Sequence, residues 1–321
     1  MNTKRETARL LVGLVMAAVA TEAAAQAGAS PLRLVVPFPA GGVTDLSARA
    51  LAEQLGPLLG RTVIVENRPG GGSRIGVDAV RQAPPDGRTL LFTNTSYAIL
   101  PIVDPAVKYD AEKGLEPVGM LATYSLALAV SSALPVKSLA EFVSYARRHP
   151  GKLSYGSSGP GSGTHFLGEY FKSLTGTYIV HIPYRSTSGA LNDVAGGALD
   201  MTFDATTKAY ADAGKVRLLA VTGLQRDPRL PDVPTAAEAG LKDFVVVSWV
   251  GLLAPPGTPA AVVAQTNKAL NEALASAPLR QRLAEMGLGA EGGDAPRMLR
   301  QIREDVRLHR AIAERSKLRF E

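Results

Sequence analysis

Short apolar runs alternate with longer amphipathic stretches along the first third of the chain. The runs at 32–37, 62–66 and 89–93 have the length of buried strands, and glycine- or proline-rich segments end them. Between them, apolar residues recur at helical spacing over 44–59 and 75–82. The resulting order, βαβαβ, is typical of a parallel sheet covered by helices on both faces.

A second set of the same units follows Pro135. Ser138 and Glu141 form an S-x-x-E capping box, and the helix that they open should end at His149-Pro150-Gly151. The other elements predicted in this half are strands at 153–156, 178–182, 199–203 and 216–221, a helix that carries Phe166 to Leu174, and a short helix near 190–194.

Two apolar segments, 118–130 and 244–253, are longer than a single strand usually needs. We interpret them as strands that cross between two domains and act as hinges. The first domain is then discontinuous, with lobe 1 built from 26–125 and 251–321 and lobe 2 from 126–250. Two such α/β lobes leave a cleft at the carboxyl ends of their strands, where open α/β folds bind ligands.

The N-terminus has the three parts of a signal peptide. Lys4, Arg5 and Arg9 are positively charged, residues 10–20 are apolar, and an Ala-x-Ala motif precedes Gln26. We therefore predict a cleaved signal peptide over the first 25 residues and a periplasmic mature protein. An uncleaved anchor and an ordinary N-terminal helix are the alternatives.

Composition excludes several kinds of site. The chain has no cysteine, which rules out thiol nucleophiles, thiolate metal sites and disulfides. Its four histidines lack a second ligand at metal-site spacing, so no metal or other cofactor is expected. The net charge of +6 is spread along the chain without basic and aromatic residues interleaving, so we expect no nucleic-acid partner.

The loop from Pro37 to Asp45 lies between a predicted strand and a predicted helix. Its glycines allow backbone N–H groups to face a ligand, and the helix start adds donors and partial positive charge, which suits a carboxylate. Thr44 is predicted to cap the helix or donate its hydroxyl. Asp45 would repel an anion, so it either braces the loop or meets a cationic group. The alternative is an ordinary strand-to-helix turn.

A second loop, from Ser157 to His165, also joins a strand to a helix and carries several hydroxyl groups. It is neither a phosphate-binding loop nor a nucleophile elbow. Ser162 beside His165 leaves an exported serine hydrolase as an alternative function, although a histidine here can equally cap or pack. Asp204, at a strand end, either reaches the cleft or caps the turn at 205–207.

Arginines near these loops are weaker candidates. Arg185, which follows Tyr184, could bind a carboxylate with two parallel hydrogen bonds, and Arg74 lies in a glycine-rich loop. Either side chain could equally be an ordinary surface arginine.

Taken together, these motifs resemble the Bug family, also called TctC-like, the extracytoplasmic receptors of tripartite tricarboxylate transporters. The matching segments occur in family order across nearly the whole mature chain. They are 34–45, 65–70, 85–87, 155–159, 183–184, 196–204, 230–235 and 251–255.

The resemblance implies a type II periplasmic-binding-protein fold, an α/β fold of two lobes that close on a ligand like a Venus flytrap. It implies that loops from both lobes hold a carboxylate, such as a dicarboxylate, an amino acid or an aromatic acid. The ligand-binding residues predicted on this basis are Phe38, Ala40, Gly41, Gly42, Thr44, Asp45, Ser73, Arg74, Ser157, Gly161, Ser162, Thr164, His165, Tyr184 and Asp204.

The chain departs from the family pattern at two places. Ser73-Arg74-Ile75-Gly76 replaces the usual Gly-Asn-Ile-Gly, and Ser186-Thr187 replaces a pair of glycines. These changes suggest altered selectivity, with Arg74 as an additional cationic contact.

The resemblance further implies a monomeric, non-enzymatic receptor that serves one large and one small integral membrane transporter subunit. A sensor that reports ligand occupancy to a membrane kinase is a further alternative to the hydrolase.

Overall fold

The computed structural model describes residues 30–315 and 317–318, so the predicted signal peptide lies outside the described residues. The strands are β1 (Leu32–Val36), β2 (Val63–Asn67), β3 (Thr89–Asn94), β4 (Glu116–Tyr124), β5 (Ala127–Ser131), β6 (Ser154–Ser157), β7 (Val180–Pro183), β8 (Met201–Asp204), β9 (Val216–Val221), β10 (Ser248–Ala254) and β11 (Gly289–Ala290). The helices are α1 (Val43–Leu59), α2 (Arg74–Arg81), α3 (Ser96–Val103), α4 (Leu139–Arg148), α5 (Gly163–Thr175), α6 (Thr187–Ala195), α7 (Lys208–Asp212), α8 (Ala260–Ala275), α9 (Ala277–Glu285) and α10 (Ala295–Arg315).

The strands of the described residues form two sheets. In the first, the order is β11-β4-β10-β3-β1-β2, and β1 runs parallel to both β2 and β3. In the second, the order is β7-β6-β8-β5-β9, and β6 runs parallel to both β7 and β8. These two sheets confirm the predicted α/β fold class.

Each sheet is covered by helices that bury an apolar face. The α1 helix packs against β2 and α8, and α10 packs against β4 and α3. In the second sheet, Phe171, Phe203 and Phe244 meet with ring centroids 5.6 to 5.9 Å apart. Rings at these separations pack favourably, and this cluster fixes α5 against the sheet.

The chain crosses between the sheets twice, but the two long strands predicted for these crossings are wrong. Over 118–130 the chain forms β4 in the first sheet and β5 in the second, with Ser125 and Leu126 between them. The second crossing enters the first sheet only at Ser248, where β10 begins. One continuous strand would have to pair with both sheets at the same orientation. The chain instead ends one strand and begins another where it changes sheets.

Thr222 holds the two crossings together. Its hydroxyl accepts a hydrogen bond from the Leu126 N–H (3.0 Å) and donates one to the Val246 carbonyl (2.7 Å). Its backbone N–H donates to the Leu126 carbonyl, and its carbonyl accepts from the Val246 N–H. The residue is buried, so these four bonds are shielded from water.

Trp249 joins the first sheet to the C-terminal helix. It is 1% exposed, and its indole Nε1–H donates to Oδ2 of Asp305 on α10 at 2.6 Å. Burial raises the pKa of Asp305 to about 6, although the hydrogen bonds from Trp249 and Gln301 act against that rise. The indole is therefore a main donor to a buried carboxyl group.

We expect Trp249→Phe to lower the free energy of unfolding by about 2–4 kcal/mol, through lost volume and a lost donor to a charged acceptor. The folded pKa of Asp305 lies above the unfolded value of about 3.9, so folding takes up a proton between about pH 4 and 6 and stability falls as pH rises across that window. Removing the donor raises this pKa further. Denaturant unfolding should therefore show a larger loss at pH 8 than at pH 5.

The control is Trp249→Phe combined with Asp305→Asn, which has no carboxyl group to titrate at this position. The double variant should not lose more unfolding free energy at pH 8 than at pH 5. An equal loss at both pH values in the single variant would contradict the role assigned to the carboxyl group.

Candidate functional site

A central cavity lies between the two sheets and takes its walls from both. Its lining includes Phe38, which precedes α1, and Ala205, which follows β8. Of the described residues that line it, none is lysine or arginine. Its polar lining consists of Thr44, Asn94, Thr95, Ser96, Tyr124, Ser158, Thr164, Ser186, Thr187, Asp204, Ser248 and His309.

Four helices begin at the wall of this cavity, two from each sheet. Gly42 and Thr95 are the N-caps of α1 and α3, and Ser162 and Ser186 are the N-caps of α5 and α6. Cap or first-turn residues of all four helices line the cavity. The first N–H groups of a helix lack acceptors within the helix and carry partial positive charge, so the four starts suit an anion.

The start of α1, like that of α3 and unlike those of α5 and α6, has no side-chain cap. Gly42 is its N-cap and no side chain caps it, so the prediction of Thr44 as the cap is wrong. Thr44 lies in the first turn instead, is buried, and accepts a hydrogen bond from Asn94 Nδ2 at 3.1 Å. A glycine cap has no side-chain oxygen, so the N–H groups of Val43 and Thr44 are left for another acceptor.

Asp45 braces the first loop and lines neither this cavity nor the neighbouring one described below. Its carboxylate accepts hydrogen bonds from the Gly41 N–H (2.9 Å), Asn67 Nδ2 (2.9 Å) and Arg49 Nε (3.1 Å). Burial acts to raise its pKa, but these hydrogen bonds outweigh it and the pKa is lowered. The bracing interpretation of Asp45 thus fits the structure, and contact with a cationic ligand group does not.

The second loop uses its hydroxyl groups largely on itself. Ser162 has no exposed surface, and its Oγ accepts from the His165 N–H at 3.2 Å as the cap of α5. Thr164 Oγ1 accepts from the Ser158 N–H at 3.0 Å and lies in the cavity wall. Ser162 therefore stabilises the loop, whereas Thr164 presents its hydroxyl-bearing side chain to the cavity wall.

One hydrogen bond links the two halves across the cavity. The Gly163 N–H, in the first turn of α5, donates to Ser96 Oγ on α3 at 3.1 Å. The Ser96 N–H in turn donates to Asn94 Oδ1 at 2.9 Å. The starts of α3 and α5 are therefore joined directly.

A neighbouring cavity shares Phe38, Pro39 and Ser158 with the central one. The predicted site residues Ser73, Gly161 and Tyr184 line it, together with Arg185.

Its floor is a strained turn in which Gly70, Gly71, Gly72 and Ser73 all have positive φ. Such angles cost a serine energy, so surrounding contacts must hold Ser73 in place. A Cβ at Gly72 would lie 2.7 Å from the Pro160 carbonyl, which explains the glycine at this contact between the halves.

Several other predicted residues lie away from both cavities. Ala40 and Gly41 are exposed at the turn before α1. Arg74 lines neither cavity and faces Asp104, with its Nη1 3.9 Å from Oδ2. Tyr184 does line the neighbouring cavity, but its hydroxyl donates to Asp193 at 2.6 Å; burial, and then this bond, raise its pKa to about 12.

A serine–histidine pair does exist, but it is not the pair expected from sequence. Ser157 Oγ lies 2.7 Å from His181 Nε2, and the Gly159 N–H also donates to this Oγ at 3.1 Å. Ser157 has no exposed surface and lines neither cavity. A nucleophile must reach its substrate, so this arrangement gives the hydrolase alternative no support.

His165 behaves as a packing residue. Its ring stacks on His181 with centroids 4.0 Å apart, and its Nδ1 accepts from the Gly161 N–H at 3.2 Å. Burial, and then the charges of His181 and Lys172, lower its pKa to about 3. The ring is therefore neutral at ordinary pH and holds the turn at Gly161.

Asp204 is the one acidic residue among the described residues that line the central cavity. It is 4% exposed, and its Oδ1 accepts from the Thr206 N–H at 2.6 Å. Both interpretations offered from sequence therefore hold, because the side chain caps the turn after β8 and also reaches the cavity.

Sequence reasoning missed the helix start at α3 and the cavity-lining residues that come from elements distant in the sequence. The missed lining residues include Asn94 and Ser96 at α3, Tyr124 and Ser248 at the crossings, and His309 on α10. The run Asn94-Thr95-Ser96 after β3 was an available signal, because such residues favour N-caps. Nothing local to the sequence marks the others.

Among residues 30–315 and 317–318, no group of acidic or histidine side chains could hold a metal ion. Within the same part of the chain, no helix is both long and apolar enough to cross a membrane.

We expect Asp45→Asn to lower the free energy of unfolding at pH 7 by about 1–3 kcal/mol, because a buried charged acceptor of several hydrogen bonds is lost. The folded pKa of Asp45 is lowered, so its contribution is present above the unfolded pKa and is lost as pH falls through the folded value. Denaturant unfolding should show a smaller difference between variant and wild type at pH 3 than at pH 7.

The matched control is Arg49→Met, which removes the half-exposed partner and leaves the Gly41 and Asn67 donors in place. Its effect should be smaller, because exposed ion pairs contribute little. A larger loss in Arg49→Met than in Asp45→Asn would argue against the bracing role.

The fold has close counterparts among known proteins. A family model described as the tripartite tricarboxylate transporter family receptor, TctC, matches residues 47–318. The periplasmic binding protein BugD is 32% identical, with a TM-score of 0.86 over 91% of this chain and 99% of that one.

Two further solved structures, both from Rhodopseudomonas palustris, contain a bound acid. MatC (Rpa3494), with bound malate, is 30% identical, with a TM-score of 0.84 over 88% of this chain and 98% of that one. Rpa4515, with adipate, is 34% identical, with a TM-score of 0.85 over 89% of this chain and 97% of that one.

These comparisons confirm the periplasmic-binding-protein fold and the resemblance to Bug proteins. The matched segment takes in β3, the whole second sheet and the second crossing. The chain belongs to the TctC family of tripartite tricarboxylate transporter receptors, the Bug-type periplasmic solute-binding proteins.

Proposed function

We propose that this protein captures a small carboxylate in the central cavity by closure of its two lobes, for delivery to a tripartite transporter. The observation that carries the proposal is the convergence of four helix starts on one cavity whose described lining contains no lysine or arginine. Backbone N–H groups and hydroxyls then supply the donors for the anion.

The α1 start is the proposed centre of the anion site. Its glycine cap provides no acceptor, whereas Ser162 and Ser186 accept from N–H groups of α5 and α6. The positive end of a helix stabilises an anion by about 0.3–1 kcal/mol at exposed sites and by up to about 2 kcal/mol when partly buried. Several starts around one cavity reinforce one another.

The ligands of related proteins support a dicarboxylate. MatC holds malate and Rpa4515 holds adipate, which are four- and six-carbon dicarboxylic acids. We infer that one carboxylate lies at the α1 start. The second extends toward the neighbouring cavity, which shares Phe38, Pro39 and Ser158 with the central one.

The two sheets are proposed to move as lobes, as predicted from lobe 1 at 26–125 and 251–321 and lobe 2 at 126–250, except that the second boundary moves to Ser248, because β10 begins there and pairs within the first sheet. The Ser96–Gly163 hydrogen bond and the contact of Gly72 with Pro160 join residues of different lobes. Both contacts require the halves to be close together. The hinge is then the pair of crossings beside Thr222.

The proposed site of action is the periplasm, after cleavage of a signal peptide over residues 1–25. The partners are a small carboxylate and the large and small membrane subunits of a tripartite transporter. The related receptor structures and the charged, apolar and small-residue order of the N-terminus support this placement.

The first test is thermal unfolding of the refolded mature protein against dicarboxylates, amino acids and aromatic acids. A ligand at about 100 times its Kd adds about 2.7 kcal/mol to stability, which raises the Tm of a chain of this size by several degrees. A Tm increase with one chemical class identifies the ligand class. If refolded protein shows no increase with any acid, the carboxylate proposal is wrong.

Gly42→Asp tests the α1 start directly. This residue has φ −82°, which any amino acid can adopt, and a Cβ there would meet no atom within 4 Å. The new carboxylate should cap α1, raise the Tm, and compete with the ligand, weakening binding at least about 100-fold. Isothermal titration with the acid found above measures the change.

Gly42→Ala is the matched control, since it fills the same space without an acceptor. It should bind within about threefold of the wild type. Equal affinities for the Asp and Ala variants would place the anion elsewhere in the cavity.

A further inference from the structure

His309 is a buried side chain of α10 whose ring forms part of the central cavity wall. It is 1% exposed, although α10 otherwise serves to cover the first sheet. Its ring meets the Phe166 ring edge-on, with centroids 5.0 Å apart. The histidine therefore joins the C-terminal helix to α5 at the cavity.

The hydrogen bond on one side of the ring fixes the chemistry of the other side. Nδ1 lies 2.7 Å from the Asp305 carbonyl oxygen, which can only accept, so Nδ1 carries the proton. Burial lowers the pKa of His309 to about 4, with the bond to Asp305 acting in the opposite direction, so the ring is neutral near pH 7. Nε2 is then an acceptor with a free lone pair.

Nε2 has no hydrogen-bond partner in the described part of the chain. Buried polar atoms are nearly always paired, because leaving one unpaired forfeits the hydrogen bonds that water would give it. The Asp305 bond turns Nδ1 toward its own helix, so Nε2 lies on the far side of the ring, and the residue itself lines the cavity. A donor from the ligand would satisfy it.

We propose that His309 Nε2 accepts a hydrogen bond from the ligand, and that the ligand is therefore an acid that also carries a hydroxyl or ammonium group. This inference rests on the proposed function, because it assumes that an acid occupies the central cavity. Asp204 is a second acceptor in the same wall and would favour an ammonium donor over a hydroxyl. His309 then acts in selection among acids.

The experiment compares acids that differ only in this donor. The probes are succinate, malate and aspartate; adipate, 2-hydroxyadipate and 2-aminoadipate; and benzoate with 4-hydroxybenzoate. In the wild type, a donor-bearing member of the series that binds should have a Kd about tenfold lower than its donor-free partner. The hydroxyl and ammonium members distinguish the two kinds of donor.

His309→Phe keeps the ring shape and removes the acceptor. It should reduce the preference to within about twofold while leaving the Kd of the donor-free acid within about threefold. His309→Gln, whose amide oxygen can accept near the Nε2 position, should retain part of the preference. A wild type without preference, or a His309→Phe variant that keeps it, overturns the assignment.

A measurement on the wild-type protein covers the case in which the Phe variant does not fold. Nitrogen NMR of the ¹⁵N-labelled histidine rings should show His309 as the Nδ1–H tautomer, and saturating donor-bearing acid should shift its Nε2 resonance. The Nε2–H tautomer, or an unchanged resonance at saturation, overturns the proposal. Absence of binding by every acid instead overturns the proposed function, and the inference falls with it.

Discussion

The four hydrogen bonds of Thr222 are the constraint on which the arrangement of the site depends. They tie the only two crossings among the described residues, at Leu126 and Val246, to one buried side chain and its own backbone. Because both crossings are held at one place, the carboxyl ends of the two sets of parallel strands face each other. Together with the Ser96–Gly163 hydrogen bond, that link sets the position of the helix starts of the first sheet relative to those of the second.

The anion site proposed for the central cavity would need no buried cation. A buried arginine would need its own partners when the ligand is absent, since an unpaired buried charge is costly. Helix starts avoid this problem, because their N–H groups are held by the backbone and water can solvate them when the cleft is open. Ser162 and Ser186 satisfy some of these groups within the protein, and the glycine at position 42 leaves others available.

Local sequence signals predicted the parts of the fold and site that depend on local geometry. Apolar runs followed by Gly- or Ser-rich loops placed β1 before α1 and β6 before α5, and the caps at Ser138 and the brace at Asp45 follow from short-range chemistry. The helix start at α3 was missed because Pro101 interrupts the helical pattern of this segment. The breaks within the two crossings depend on which sheet each residue pairs with, and no short segment encodes that choice.

The side-chain roles at the site depend on contacts between distant segments. Ser157 and His181 are 24 residues apart and meet only because β6 and β7 are paired. His309 reaches the cavity from α10, the last helix, whose sequence is rich in arginine. The helix is exposed at Arg300, Arg303 and Arg307, but it turns His309 and Asp305 inward. Periodicity shows that a helix has an inner face, but not what that face meets.

The absence of a cation from the described cavity lining has a consequence for how cargo is handed over. An arginine bound to a carboxylate would remain bound to it after the cleft opened, and the transporter would have to compete for the ion pair. Here the hydrogen-bond donors of the cavity are divided between the two lobes. Separating the lobes leaves each with only part of the donor set, and water can replace the missing contacts at once. If the lobes close on the cargo as proposed, unloading is a mechanical event, in which whatever pulls the lobes apart at the membrane also frees the cargo.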